Sequence, residues 1–131
     1  MKTQLSLAAF AFLAALPAHA LALDPGIVKQ LNALAPEERR EQRCDMEAMQ
    51  RIKEDTKSFR PDKVIAYTFG DPVREGDAIE APGAVFRSGG DWYRLEYECR
   101  TGDQGLKVLS FDYKIGNRIP REEWGQHYLY E

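Results

Sequence analysis

The chain has 131 residues, of which 44% are hydrophobic and 30% are charged, and its formal net charge is −3. This composition excludes disordered, collagen-like and multi-span membrane proteins, and the length allows a single domain. The acidic balance argues against nucleic acid or an anionic membrane surface as the main partner.

The N-terminal residues 1–20 have the pattern of a secretory signal peptide. Met1-Lys2 gives a positive start, residues 5–16 are apolar except for Ser6, and Ala18 and Ala20 are the small residues that precede a cleavage site. The apolar run is shorter than the roughly twenty residues of a membrane span. We therefore predict cleavage after Ala20, a mature chain without a membrane span, and a periplasmic or secreted location.

Two cysteines, Cys44 and Cys99, are predicted to form a disulfide. An even number of cysteines in an exported protein is most simply a bridge. Closing a loop of about 56 residues stabilises a fold by on the order of 4 kcal/mol. The alternatives are a buried thiol pair or a metal site with His127 as third ligand, although the separation lacks the C-x-x-C spacing of zinc sites.

Two helices are expected before the first strand. Residues 21–35 form an apolar lead-in that can hold a short helix over 27–34. A longer helix is predicted over 36–54, because Pro36 suits the first helical position and acidic residues follow it in the first turn. Apolar residues recur every four positions along it, so one face should be buried and the other charged.

A strand is predicted over residues 63–69, where β-branched and aromatic residues are frequent. Residues 74–77 are predicted to be a polar loop, and residues 78–81 a short pairing segment. Pro82-Gly83 is expected to separate that segment from the strand that follows.

The clearest signal is a hairpin of residues 84–88 and 91–100 around Gly89-Gly90. A two-residue glycine loop places Phe86 opposite Tyr93 and Arg87 opposite Trp92. The alternation then divides the side chains between two faces. One face carries Phe86, Tyr93, Leu95, Tyr97 and Cys99, and the other carries Arg87, Trp92, Arg94, Glu96 and Glu98.

A last strand is predicted over residues 106–115, with Leu109, Phe111, Tyr113 and Ile115 on the core face. We expect Arg94 opposite Asp112 and Lys114 beside Trp92, since the register with Glu96 opposite Asp112 brings like charges together. Residues 101–105 then form a loop. Gly116-Asn117 should end the sheet, and Pro120 should open a short helical turn.

The predicted fold class is α+β. An antiparallel β-meander of three to five strands carries one long N-terminal helix on one face, and Cys44–Cys99 joins the two layers. The predicted domains are a signal peptide over 1–20, the lead-in over 21–35 and a single α+β domain over 36–131.

No convergent set of catalytic residues stands out in the sequence. The mature chain has a single histidine, no nucleophile elbow, no phosphate-binding loop and no calcium-site pattern. We expect no cofactor, no metal and no enzymatic activity. A hydrolase that uses carboxylates alone remains the alternative, because the chain has 21 acidic residues.

The candidate binding surface is the outer face of the sheet together with the aromatic C-terminal residues. Arg87 and Arg94 flank Trp92, where they could hold an anion against an aromatic ring. The alternative is structural: Arg87 stacks on Trp92 and Arg94 pairs with Asp112. Trp124 and Tyr128 could dock a partner or seal the end of the sheet.

The chain also resembles the domain of unknown function 930 family, a group of small exported proteobacterial proteins. The resemblance rests on residues 41–49 and 59–62, on residues 84–88 with Trp92-Tyr93 and Cys99, and on Ser110-Phe111 and Ile119-Pro120 with Trp124. It implies a small exported domain and supplies no activity or catalytic residues.

These observations favour a small exported, non-catalytic domain that binds an envelope protein partner or a small ligand. The alternatives are the carboxylate-only hydrolase and an inhibitor of a secreted enzyme. A cleft with two carboxylates, one of strongly raised pKa, would favour the hydrolase. The sequence does not define an oligomeric state.

Overall fold

The computed structural model describes residues 23–131, so the predicted signal peptide lies outside the described residues. Helix α1 spans Pro25–Asn32 and helix α2 spans Pro36–Asp55. The carboxylate of Asp24 caps α1 by accepting from the backbone N–H of Gly26 at 2.7 Å. Pro36 at the first position of α2 agrees with the sequence prediction, whereas α1 begins and ends two residues earlier than the helix predicted over 27–34.

The guanidinium of Arg39, on α2, holds α1 and the lead-in in place. It donates to the carbonyl oxygens of Leu31, Asn32 and Leu34, where the C-terminal end of α1 needs donors. A further N–H donates to the carbonyl of Gln104, in the turn of residues 103–105. One charged side chain thus satisfies carbonyls of two separate segments.

The sheet has five strands and is antiparallel throughout. The strands are β1 (Pro61–Ile65), β2 (Val73–Glu75), β3 (Ala78–Ser88), β4 (Asp91–Gly102) and β5 (Lys107–Arg118). A short helix, α3 (Arg121–Trp124), follows β5. The order is β1-β3-β4-β5, and β2 also pairs with β3. β3 therefore pairs with three strands, β1, β2 and β4, and the sheet is not a simple meander.

The predicted α+β class, the helix on one sheet face and the disulfide are all confirmed. Helix α2 lies on the inner face of the sheet, and Cys44 is bonded to Cys99 with their Cα atoms 6.1 Å apart. Ala48 and Ile52 of α2 are fully buried against the sheet, as the four-residue spacing predicts. The inner core also contains Phe86, Leu95, Tyr97 and Phe111.

The hairpin register around Gly89-Gly90 is as predicted, with Phe86 opposite Tyr93 and Arg87 opposite Trp92. Both glycines have positive φ, of 60° and 81°, which a two-residue hairpin loop requires. The predicted break at Pro82-Gly83 is a bulge within β3, because residues 78–81 and 84–88 belong to one strand.

Three predicted boundaries on the first half of the sheet were wrong. Strand β1 covers Pro61–Ile65, and residues 66–70 form turns instead of continuing the strand to residue 69. Residues 73–75 form β2, where a polar loop was expected. The short segment at 78–81 is the first part of the longer strand β3.

The predicted register between the last two strands was wrong by four residues. Asp112 lies opposite Glu98 instead of Arg94, and Lys114 lies opposite Glu96. The like-charge pair is tolerated because both side chains are exposed to water, where such a contact costs a few tenths of a kcal/mol. The loop is also tighter than expected, because Asp103 and Gln104 adopt the left-handed conformation, with φ of 50° and 56°.

Leu109 is not a core residue, contrary to the prediction. The register shifts between Arg100 and Thr101, so Thr101 pairs with Val108, and Leu109 is the extra residue on β5. Val108 therefore packs on the inner core, whereas Leu109 is 54% exposed. Strand β5 then continues to Arg118, past the predicted end at Gly116-Asn117.

Candidate functional site

Trp92 was predicted to be exposed on the outer face of the sheet, and this prediction was wrong. The outer face is covered near the β3–β4 hairpin. Residues 119–131 fold back over it, so both Trp92 and Trp124 are buried. Each indole N–H has a backbone partner: Trp92 donates to Tyr130 at 2.8 Å and Trp124 donates to Ile119 at 2.9 Å. These two tryptophans join Val85, Ile119 and Leu129 in a second core, the outer cluster. They are therefore structural and not a ligand platform.

The two arginines of the predicted surface also make internal contacts. Arg87 stacks on Trp92, with its guanidinium carbon 5.5 Å from the ring centroid, and is bonded to Asp62 at 2.9 Å. The expected pairing of Arg94 with Asp112 was wrong. The guanidinium carbon of Arg94 lies 3.5 Å from the ring centroid of Phe69, and the observed register places Asp112 opposite Glu98 instead.

Tyr128 is the one residue of the predicted surface whose ring is almost fully in solvent, at 90% exposure. It ends the helical turn of residues 125–127 in the left-handed conformation, with φ of 58°. The N–H of Leu129 bonds to Trp124 and that of Tyr128 to Gly125, which is a Schellman motif. Glycine is the usual residue at this position. A tyrosine therefore occupies a strained place without burying its ring.

The exposed ring of Tyr128 forms one wall of a groove of about 510 Å³, which we call the aromatic groove. Other lining residues come from residues 61–65 and from the turn that follows them. The lining residues are Lys63, Ile65, Tyr67, Thr68, His127, Tyr128 and Tyr130. Five large apolar or aromatic side chains are exposed among residues 23–131, and three of them, Tyr67, Tyr128 and Tyr130, line this groove.

Two of the rings that line the groove, those of Tyr130 and His127, pack against other side chains. Tyr130 meets the edge of Trp92 at 5.9 Å between centroids, and the guanidinium of Arg87 lies 5.5 Å from its ring centroid. The His127 ring lies 4.3 Å from that of Phe69. The groove thus presents aromatic faces, phenol hydroxyls and the ammonium group of Lys63, which suit stacking and hydrogen bonding.

Sequence reasoning found only part of this site. The sequence predicts Tyr128 and the aromatic C-terminal residues as a candidate surface, whereas it places residue 67 in the interior of the strand predicted over 63–69. Only the early end of β1 at Ile65 turns Tyr67 outward, to 59% exposure. No local pattern around residue 67 signals that end.

The most perturbed carboxyl group lies elsewhere, between α2 and the sheet. The pKa of Asp45 is raised to about 8, mainly by burial. The nearby carboxylate of Glu41 also raises this pKa, whereas the hydrogen bond from Tyr97 lowers it. Glu41 is itself bonded to Arg74 at 2.7 Å. Glu41 lines a second groove of about 650 Å³ between α1 and α2, whereas Asp45 does not line it. A carboxylate-based hydrolase requires two carboxylates in one cleft, one of them with a raised pKa. Asp45 has the raised pKa, but only Glu41 lines the groove, so Asp45 and Glu41 meet only part of this criterion.

Within residues 23–131 no group of three or more histidine, cysteine, aspartate or glutamate side chains is arranged to hold a metal ion. His127, the proposed third ligand of a metal site, packs on Phe69 instead, and both cysteines are in the bridge. No helix in the same part of the chain is long and apolar enough to span a membrane.

Fold and groove together define a small disulfide-linked α+β domain with an aromatic surface groove. The chain belongs to the family described as Domain of Unknown Function (DUF930), whose sequence model matches residues 31–129. This match covers α2, every strand, both cysteines and Tyr128. A search of curated proteins and of solved structures found no match to the chain.

Proposed function

We propose that this protein is an exported, non-catalytic binding module and that the aromatic groove is its binding site. The observation that supports it best is the concentration of exposed tyrosines, with Tyr67, Tyr128 and Tyr130 all in one groove. Tyrosine is enriched at protein interfaces, since it supplies a large contact area and a polar hydroxyl at low entropic cost. An envelope protein partner is the ligand this surface suits best.

The conformation of Tyr128 supports the same proposal. A non-glycine residue in the left-handed region costs on the order of 1 kcal/mol. Glycine would form the same turn without this cost, and the exposed ring of Tyr128 adds little packing to offset it. Strained residues with exposed side chains are concentrated at binding sites. The ring of Tyr128 is therefore the part of the groove that we expect to contact the partner most directly.

Binding without catalysis fits the distribution of polar groups better than hydrolysis does. The residues that line the aromatic groove include one histidine and one lysine but no carboxylate, serine or cysteine. Asp45, with its raised pKa, is buried, accepts a hydrogen bond from Tyr97 and lines neither groove. A hydrolase would need a second carboxylate in contact with the same substrate.

The disulfide supports export as the second part of the proposal. Such bridges form and persist in the periplasm or outside the cell and are rare in the cytosol. We expect the purified periplasmic protein to have the mass of residues 21–131 with two hydrogens removed at the cysteines. A protein recovered only from the cytosol with both thiols free would contradict the proposal of export.

The binding proposal is tested by crosslinked capture from envelope extracts with four forms of the protein: the parent, Tyr128→Ala, Tyr67→Ala and Val73→Ala. Val73 is the matched control, because it is an exposed apolar residue at 54% and lies on β2, outside the groove. We expect a partner that the parent and Val73→Ala retain and that Tyr128→Ala loses. The interaction is then measured by calorimetry with the purified partner.

Circular dichroism of the same variants shows whether the fold is intact. Equal retention of every partner by the parent and by Tyr128→Ala and Tyr67→Ala would overturn the assignment of the groove. If no protein is retained, NMR chemical shifts of the groove residues are measured with the small molecules of the extract. Shifts that move on addition of one of these molecules would indicate that the ligand is a small molecule and not a protein.

A further inference from the structure

Strand β5 is an edge of the sheet. Lys107–Arg118 pairs with β4 on one side, and no other strand of residues 23–131 pairs with it on the other. Alternate residues of this twelve-residue strand therefore direct their backbone donors and acceptors away from β4, toward the unpaired edge. Natural sheets protect such edges with proline, bulges or charges. Here β5 has two irregularities, one at Leu109 and one between Ile115 and Arg118, and the stretch from Ser110 to Ile115 between them is regular and contains no proline.

The two faces of this regular stretch differ in chemistry. Phe111, Tyr113 and Ile115 lie on the inner face, where Tyr113 and Ile115 are only partly buried against the inner core. Asp112 and Lys114 lie exposed on the outer face. Any strand that pairs here must therefore cover apolar side chains on one face and match a negative and a positive charge on the other.

We propose that β5 pairs with β5 of a second copy of this chain, antiparallel about a two-fold axis at Tyr113, which makes one continuous ten-stranded sheet. In this register Asp112 lies opposite Lys114 of the second copy, and the symmetry makes that pair twice. Phe111 lies opposite Ile115 on the inner face. The helices of both copies then lie on the same side of the sheet, since opposite residues of paired strands share a face.

Charge selects this register from its neighbours. A two-fold axis at Asp112 would place this carboxylate opposite Asp112 of the second copy. An axis at Lys114 would place two ammonium groups opposite each other, and both like-charge pairs are unfavourable. Within one subunit, Asp112 lies opposite Glu98 across the β4–β5 ladder, and neither carboxylate forms an ion pair within residues 23–131. Lys114 of the second copy would place a positive charge beside these two carboxylates.

The pairing leaves the aromatic groove accessible in both copies. The groove is lined from β1, which is at the opposite edge of the sheet from β5. Self-association and partner binding are therefore separate properties. A variant that loses one is expected to keep the other.

The experiment uses two single variants, Asp112→Lys and Lys114→Asp, in sedimentation velocity over a wide range of protein concentration. We expect the parent to be a dimer and each variant to dissociate with a Kd raised about tenfold or more, because two attractive pairs become repulsive. Mixed in equal amounts, the two variants should form a heterodimer. One chain then carries a positive charge at both positions, the other carries a negative charge at both, and each pair across the axis is attractive again. The double variant should also regain the dimer.

Lys107→Asp is the matched control, because it reverses a charge on the same strand outside the regular stretch and should leave the dimer intact. Circular dichroism confirms that each exposed substitution leaves the monomer folded. A parent that is monomeric at all concentrations overturns the proposal. The proposal is also overturned if Asp112→Lys and Lys114→Asp dimerise as tightly as the parent. It is overturned as well if an equal mixture of these two variants stays monomeric.

Discussion

The phenol of Tyr97, on β4, donates a hydrogen bond to Oδ1 of Asp45, on α2, at 2.8 Å across the buried interface of helix and sheet. Asp45 is 6% exposed, and burial raises the pKa of its carboxyl from 3.8 to about 8. The same burial, together with the adjacent Asp45, raises the pKa of Tyr97 well above its usual value. The pair therefore joins the two layers in its protonated form.

This pair predicts that stability decreases from acid to neutral pH. Between about pH 4 and pH 8 the folded protein keeps a proton on Asp45 that the unfolded chain releases. The free energy of unfolding should therefore fall as pH rises through this window, by on the order of 1 kcal/mol per pH unit, and level off above it. Urea denaturation at a series of pH values measures the dependence.

Asp45→Asn is the matched variant, because the amide oxygen can still accept from Tyr97 and does not titrate. The free energy of unfolding of Asp45→Asn should therefore fall less steeply with pH than that of the parent. The remaining pH dependence, from the other ionisable groups, should be the same in both proteins. Identical slopes for the parent and Asp45→Asn would show that Asp45 is not the group responsible.

Removal of the disulfide is predicted to cost on the order of 4 kcal/mol, because the bridge closes a loop of about 56 residues. The measurement is denaturant unfolding of the double variant Cys44→Ser with Cys99→Ser, beside the parent with and without a thiol reductant. The reduced parent should match the double variant, and the reductant should have no effect on the variant. A double variant as stable as the oxidised parent contradicts the prediction.

Gly83→Ala is predicted to destabilise the fold by about 1–3 kcal/mol. A Cβ atom at this position would lie 2.5 Å from the backbone nitrogen of Gly70 and 2.6 Å from the carbonyl carbon of Phe69. The N–H of Phe69 also bonds to the carbonyl of Gly83 at 2.8 Å, so the two backbones cannot separate without losing that bond. Thermal unfolding followed by circular dichroism measures the loss.

Gly70→Ala tests whether this effect belongs to the contact. No atom lies within 4 Å of a Cβ built on Gly70, and its φ is not in the left-handed region. That variant should stay within about 1 kcal/mol of the parent. Equal losses at the two glycines would mean that the close approach in the bulge is not the cause.

Tyr128→Gly is predicted to be more stable than Tyr128→Ala by about 1 kcal/mol, because only glycine adopts the left-handed conformation without steric cost. The ring at 90% exposure contributes little packing to lose. If the groove binds a partner, Tyr128→Gly should be stable and yet defective in binding. Denaturant midpoints of the two variants give the comparison, and equal midpoints would exclude strain at this residue.

The local parts of the fold were predictable from the sequence. Helix α2 follows from apolar residues at four-residue spacing, and the hairpin follows from Gly89-Gly90, since both depend on neighbours in the chain. The β4–β5 register was not predictable, because it depends on left-handed residues at Asp103 and Gln104, where glycine is usual.

The candidate site was predictable only where it coincides with the aromatic tail. Tyr128 could be named from its position, but the burial of Trp92 depends on residues that follow it by about 27 to 39 positions and fold back across the sheet. Period-two alternation assigns Trp92 to the outer face and contains no information on what covers that face. The expectation about Trp92 failed for this reason.

Both tryptophans of the chain, Trp92 and Trp124, belong to the outer cluster, and the inner core has none. Intrinsic fluorescence therefore reports when residues 119–131 leave the sheet, and it is insensitive to separation of α2 from the opposite face. Far-UV ellipticity follows the helix. If the two optical signals change at different denaturant concentrations, the domain opens in two steps, and the two-state treatment of its stability no longer applies.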